Sequence, residues 1–251
     1  MQADIYTVED ARRDLDKIPE FFKAMPYHDD AMRAFLINTR EMPESVIEDS
    51  GAFFVDEDLT LYDLPDWMHS ESLGIVHKGY ITMAGRCVFP VKDPMGHVMG
   101  FVGWDPTTKP KYLDSYNYGY RAKATTFYGM EKILEYYKSK EPVFLVEGLM
   151  CCRWLRSQGF LSLASLGSHL NPYCVSIAKR FGTRLVVVPD NDEAGEHYLT
   201  QCYFQLPKAF KIMVKDGNDI DGCRRDHKDE LLEDLRNITN LAYIPKICIR
   251  R

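Results

Sequence analysis

Three short acidic segments carry the residues best suited to chemistry. They are Val146-Glu147-Gly148, Pro189-Asp190-Asn191-Asp192-Glu193-Ala194-Gly195 and Lys215-Asp216-Gly217-Asn218-Asp219-Ile220-Asp221. Each follows an apolar run of the kind that forms a buried strand. Carboxylates gathered in one place repel, raise one another's pKa values and partly protonate. A hard divalent cation resolves that conflict. Mg²⁺ takes oxygen ligands, keeps several waters and completes its shell with substrate phosphates. A cluster of Glu147, Asp190, Asp192, Asp219 and Asp221 would therefore suit phosphoryl transfer. The competing reading is that each acid serves a turn or caps a helix, roles that Asp and Asn also favour. That reading is the preferred one for Asp216, which precedes Gly217.

The acids matter only if their strands are neighbours, and the flanking pattern predicts that they are. Strand-like segments at 142–146, 160–165, 184–189 and 211–214 alternate with helical segments at 149–157, 172–180, 192–206 and 226–237. Such alternation predicts a parallel sheet covered by helices on both faces. Ligands of open parallel sheets bind beyond the carboxyl ends of the strands, where these acids fall.

The amino-terminal half follows different rules. Helical apolar spacing covers 31–36, and Pro43 near a first turn starts a second helix that Gly51 stops. A strand-like segment follows at 51–55. Segments 86–91 and 98–102 alternate with a period near two around Asp93-Pro94-Met95-Gly96, which predicts a hairpin. Residues 105–125 form a basic, aromatic-rich connection holding Lys109, Lys111, Arg121 and Lys123. Residues 127–140 read as a further helix.

The chain has 251 residues, enough for one large domain or two small ones. Its 12% aromatic content argues against disorder. No apolar run is long enough to span a membrane, and the acidic, amphipathic start is unlike a signal peptide. The seven cysteines are irregularly spaced and form no CxxC pair, so no zinc site is expected and reduced thiols in a cytosol are the simpler reading. The formal net charge of −6 argues against nucleic acid only on average. Acids concentrate at the later strand ends, while basic residues concentrate between about 86 and 123.

Taken together, the motifs resemble a known family. Glu147-Gly148 after one strand and Asp190-x-Asp192-x-x-Gly195 after a later one are similar to the signature of the TOPRIM domain. The segment from Arg86 to Phe101 resembles the hairpin of DnaG-type bacterial primases. Pro110-Lys111-Tyr112-Leu113-Asp114-Ser115 resembles their "PKYLNS", and Lys123 through Met130 their "KGRxLYGL". Val146-Glu147-Gly148-Leu149-Met150 resembles "VEGYMD", Ala164-Ser165-Leu166-Gly167 resembles "ASLGT", and Asp216 through Asp221 resembles "DGEDPD". Residues 34–51 resemble the family's "YLxxRGLSPEVIExFxIG". The order and spacing run over roughly residues 30 to 225.

The resemblance implies an α/β protein in three parts. A mixed α+β amino-terminal subdomain (1–140) is followed by a TOPRIM subdomain with a Rossmann-like parallel sheet (141–222) and a short helical tail (223–251). It implies a primase that makes short RNA primers on single-stranded DNA from nucleoside triphosphates. Glu147, Asp190 and Asp192 would be catalytic. With Asp219 and Asp221 they would hold Mg²⁺ or Mn²⁺. Arg86, Lys111 and Lys123 would grip template or nucleotide phosphates. Trp104, Tyr112 and Tyr116 would stack on bases or lie in the core, and His169 would touch a phosphate or cap a turn. The family's zinc-binding and helicase-interaction domains are not expected in this chain, a pattern suggestive of a phage primase. A replicative helicase is the further expected partner, no membrane is, and the compartment is the cytoplasm, the host's if the chain is phage-encoded.

Two departures matter. The aspartate of the family's "EGxxD" is Cys151 here, which removes a carboxylate. The arginine after the second hairpin strand is Trp104. Two alternatives remain: a TOPRIM nuclease using the same acids with water, and a non-catalytic replication module.

Overall fold

A computed structural model of the chain describes residues 8–25, 30–115, 125–214 and 219–240. The chain divides into two compact units, with the boundary between Thr126 and Phe127.

The first unit begins with four short helices, α1 (Val8–Leu15), α2 (Ile18–Lys23), α3 (Asp30–Asn38) and α4 (Glu44–Ser50). Pro43 precedes α4, and Gly51 ends it in the left-handed region (φ +69°), its N–H reaching the carbonyl of Glu48. Strand β1 (Phe53–Val55) and a small hairpin of β2 (Val76–His77) and β3 (Tyr80–Ile81) follow. The predicted hairpin is β4 (Arg86–Lys92) with β5 (Val98–Trp104), and β6 (Tyr112–Asp114) completes an antiparallel sheet ordered β1-β4-β5-β6. Its turn is held by Asp93, whose Oδ1 accepts from the Met95 and His97 N–H groups.

Alternation along the strands sorts the faces of this sheet. Phe53 pairs with Val88 and packs with Phe22 and Phe101 into one core. Phe54 pairs with Cys87, and Cys87 with Trp104. Trp104 is 1% exposed and stacks on Phe35, with the Arg40 guanidinium 5.2 Å from its ring centre. Of the two readings of Trp104, the structure gives the core one.

The second unit opens with Tyr128 bridged to Ala164 through both backbone hydrogen bonds. A 3₁₀ turn, Met130–Lys132, then leads into α5 (Ile133–Lys138). The continuous helix expected over 127–140 is therefore shorter. Pairing of Tyr128 with the edge of the neighbouring strand outweighs its helical spacing. Phe127, Met130, Ile133 and Tyr136 belong to the core of this unit, although the sequence groups 127–140 with the amino-terminal subdomain.

From there strands and helices alternate: β7 (Val143–Val146), α6 (Leu149–Ser157), β8 (Leu161–Ala164), α7 (Pro172–Ala178), β9 (Leu185–Val188), α8 (Glu193–Gln205), β10 (Phe210–Lys211) and α9 (Ile220–Asn240). The sheet is parallel with order β10-β9-β7-β8. Two bounds differ from the sequence reading. The last strand pairs over Phe210–Lys211 instead of 211–214, with one more bond from Ile212 N–H to the Val187 carbonyl. The predicted helix at 226–237 is preceded, across a kink at His227 (φ −136°), by a further helical segment that begins at Ile220, so Asp221 lies in a first turn and not in a loop.

Candidate active site

Strand order brings the first two acidic segments together. β7 lies between β8 and β9, and Val146 is level with Ala164 on one side and Val188 on the other. The chain leaves β7 towards β8 and later returns to its opposite edge as β9. That reversal is the kind of switch point at which open parallel sheets bind ligands. Glu147 follows β7 there, and Asp190 lies two residues beyond β9.

Glu147 is tied on both flanks. Its carbonyl accepts from the Leu166 N–H, and its Oε1 accepts from the Asp190 N–H at 3.1 Å. The residue is 6% exposed. Burial pushes its carboxyl pKa up, the Asp190 N–H pulls it down, and the Asp192 charge pushes it up again. Asp190 is shifted further, to about 7, by burial and then by the charges of Glu147, Asp219 and Asp192. These three charges are all negative.

Asp192 stands exposed and caps α8, its Oδ1 accepting from the Gly195 N–H at 2.8 Å. A Cβ built on Gly195 would fall 1.8 Å from the carbonyl oxygen of Asp190, so only glycine lets the helix start so close to the strand end. Asp192 is thus a helix cap whose charge also acts on Glu147 and Asp190.

The third segment contributes unevenly. Asp219 accepts from the Gly222 N–H through Oδ1, while its Oδ2 lies 3.9 Å from Cys151 Sγ on α6. Asp221 accepts from the buried Arg224 Nε at 2.8 Å. The structure therefore brings the charges of Glu147, Asp192 and Asp219 to bear on Asp190 and sets Asp221 against a guanidinium. Arg224 was missed in the sequence. Its i,i+3 spacing from Asp221 is a recognisable ion-pair signal, but only in a helix read to begin at 220. Asp216 lies outside the described residues. Cys151 is 5% exposed, and burial followed by the charges of Asp219 and Asp190 keeps its thiol protonated well above the ordinary range. Tyr198, also missed, is fully buried on α8, and its phenol is raised by burial, with Glu147 and Asp190 among the charges acting on it. His169 is exposed in the loop after β8.

Among the described residues, no three His, Cys, Asp or Glu side chains stand close enough to grip an ion by themselves. The donors present are nevertheless hard oxygens with an excess of negative charge. They fit Mg²⁺ or Mn²⁺, which needs few protein ligands when substrate phosphates and waters fill the shell.

The basic segment lies in the first unit. Thr107 to Tyr112 form an exposed ledge between β5 and β6, with Lys109 and Lys111 on it. Tyr112 is 40% exposed. Arg86 differs from the expectation of a surface cation. It is 9% exposed, and its guanidinium donates to the carbonyls of Lys111 and Pro110 and to Thr108 Oγ1. Lys123, Arg121 and Tyr116 lie outside the described residues.

Comparison with known proteins agrees with this geometry. No family model matches the chain. The chain is 30% identical to a DNA primase of Clostridium acetobutylicum over 169 residues, 64% of this chain and 28% of the relative. It is 30% identical to a DNA primase of Legionella pneumophila over 175 residues, 65% of this chain and 30% of the relative. It thus spans about 30% of the length of these relatives. Among solved structures, a DnaG primase catalytic domain bound to ssDNA superposes with a TM-score of 0.77 at 22% identity, covering 91% of this chain and 78% of that one. An E. coli primase catalytic core gives 0.74 at 21% identity, covering 90% and 79%. The fold is that of a primase catalytic core, a mixed α/β architecture with one antiparallel and one parallel sheet. With the sequence relationship added, the chain is similar to part of DnaG-type primases in both sequence and fold.

Proposed function

We propose that this chain is a template-directed RNA primase core, joining nucleoside triphosphates into short primers on single-stranded DNA. The observation that carries the reading is the Glu147–Asp190 pair at the switch point of the parallel sheet, with Asp192 and Asp219 adding to its negative charge. In primer synthesis a 3′-hydroxyl attacks an α-phosphate and pyrophosphate leaves, so the protein chiefly positions groups and balances charge. A bound Mg²⁺ or Mn²⁺ ion, held by Glu147, Asp190 and Asp192 with Asp219 and Asp221, would supply neutralisation of the triphosphate. Glu147 holds its carboxylate fixed through the Asp190 N–H, and Asp192 offers an exposed carboxylate at the rim. Arg224 fixes the rotamer of Asp221.

In the first unit, Lys111 offers a cation to the phosphates of template or nucleotide, and Lys123 shares that role. The division of labour is an amino-terminal subdomain for template and a TOPRIM subdomain for chemistry, followed by a helical tail. A replicative helicase is the proposed further partner and the cytoplasm the proposed compartment.

One assay tests the reading. Single-stranded template, labelled ribonucleotides and Mg²⁺ or Mn²⁺ should yield labelled oligomers that vanish in Asp190→Ala. Degradation of template without synthesis would replace the primase with a nuclease that uses the same acids. DNA binding with neither reaction would leave a non-catalytic module, a reading that the protonated Cys151 favours.

A further inference from the structure

The chain leaves β5 at Trp104 and returns as β6 at Tyr112, so the exposed ledge between them has no strand partner of its own. Two buried groups hold it instead. Asp105, 9% exposed, accepts from the Thr107 N–H and hydroxyl at 2.8 and 2.7 Å, and its own N–H donates to the Lys111 carbonyl at 2.9 Å. Arg86 reaches across from β4. Its Nη1 donates to the Lys111 carbonyl at 3.2 Å, and its Nη2 donates to Thr108 Oγ1 at 3.0 Å and the Pro110 carbonyl at 3.2 Å. Burial pushes the Asp105 carboxyl up, but the Thr107 and Thr108 hydrogen bonds and the Arg86 charge bring it below its ordinary range. Gly103 makes room for this reach, since a Cβ there would fall 2.8 Å from Arg86 Cδ and 2.6 Å from Met83 Sδ.

We propose that Arg86 is a positioning residue for Lys111: it fixes the 108–111 backbone from beneath, so that the lysine meets a template phosphate from a preset ledge, and it does not touch the template itself. A planar fork that donates to three oxygens does what a lysine ammonium on a flexible stem cannot. The cost of binding falls when a contact residue is already ordered. This inference rests on reading the ledge as template surface.

The test measures affinity for a single-stranded oligonucleotide against salt for wild type, Lys111→Ala, Arg86→Gln, Arg86→Lys, Gly103→Ala and the double variant Arg86→Gln/Lys111→Ala. Trypsin cleavage after Lys111 reports on the ledge independently of activity. Lys111→Ala should lower the salt slope by about 1, as for one lost phosphate contact. Arg86→Gln, Arg86→Lys and Gly103→Ala should each weaken binding and speed that cleavage while circular dichroism stays native. The double variant should bind like Lys111→Ala alone. Wild-type affinity in Arg86→Lys, or a slope reduced by about 2 in the double variant, would mean that the Arg86 charge contacts template directly and would overturn the proposal. Unchanged binding in Lys111→Ala would remove the template reading itself, and the proposal with it. Gly103→Ala keeps the guanidinium and displaces it together with the Met83 thioether, so the proposal stays falsifiable even if both Arg86 variants misfold.

Discussion

Cys151 Sγ lies 3.9 Å from Asp219 Oδ2, a neutral thiol set against a carboxylate at the point where the DnaG-type pattern has a second carboxylate. An S–H group is a weak donor, and this one stays protonated because burial and the charges of Asp219 and Asp190 oppose its ionisation. The site is thereby one negative charge short.

Cys151→Asp should restore that charge at a cost. Without divalent cation the new carboxylate faces Asp219 and Asp190, so the melting temperature should fall. With Mg²⁺ the variant should bind the ion about tenfold more tightly than wild type, the order of effect expected for one well-placed charge near a metal. Isothermal titration with Mg²⁺ checks this, and equal affinities would mean that position 151 does not act on the ion.

Asp190 should impose a pH dependence on the metal-free protein. Its folded pKa of about 7 lies above the ordinary 3.8, so between those values the folded state holds a proton that the unfolded chain has lost. The contribution to stability is complete below about pH 4 and disappears as pH rises through 7. Thermal melts in EDTA should therefore show stability declining between about pH 4 and 7, and Asp190→Asn should flatten that decline. Mg²⁺ competes with the proton, so its stabilising effect should be larger at pH 8 than at pH 6. A pH-independent Mg²⁺ effect would contradict this account.

Gly195→Ala should destabilise the second unit. A Cβ 1.8 Å from the Asp190 carbonyl oxygen cannot be accommodated without moving backbone on one side. A loss of about 2–4 kcal/mol is expected, as for overpacking against main chain, together with loss of the Asp192 cap. Chemical denaturation measures it, and a cost below about 1 kcal/mol would show that α8 can slide away freely.

Asp221→Ala leaves the Arg224 guanidinium, whose side chain is 2% exposed, without its carboxylate. Removing one partner of a buried pair costs about 3 kcal/mol or more, because the remaining charge stays desolvated. Asp219→Ala loses a cap to Gly222 and should cost about 1 kcal/mol. Denaturant midpoints of the two variants should separate clearly. Equal midpoints would mean that the Asp221–Arg224 pair adds no more to stability than the Asp219 cap.

Much of this protein is legible in its sequence because the relevant signals are local. The 86–104 hairpin announces itself through period-two alternation around Asp93, and α6 is bounded by Gly148 and Gly159. Glu147 and Asp190 are identifiable because each follows an uninterrupted apolar strand. What escapes is set by distant partners. Tyr128 leaves helical geometry because Ala164 offers it two hydrogen bonds. Trp104 is core because Phe35, from α3, covers it. Arg86 reads as a surface cation until the chain folds the 108–111 carbonyls over it, and no local pattern reports that.

The central place of β7 has a consequence for the timing of assembly. Glu147 is made 43 residues before the Asp190 N–H that fixes its carboxylate, and the intervening chain must first lay down β8 on the far edge of β7. A nascent chain that has completed β7, α6 and β8 has a sheet but no acid pair. It gains the pair only when β9 docks on the opposite edge, a non-local step whose loop-closure entropy must be met before its contacts form. The second unit thus completes its acid pair late in its own synthesis, after β7 and β8 have already paired.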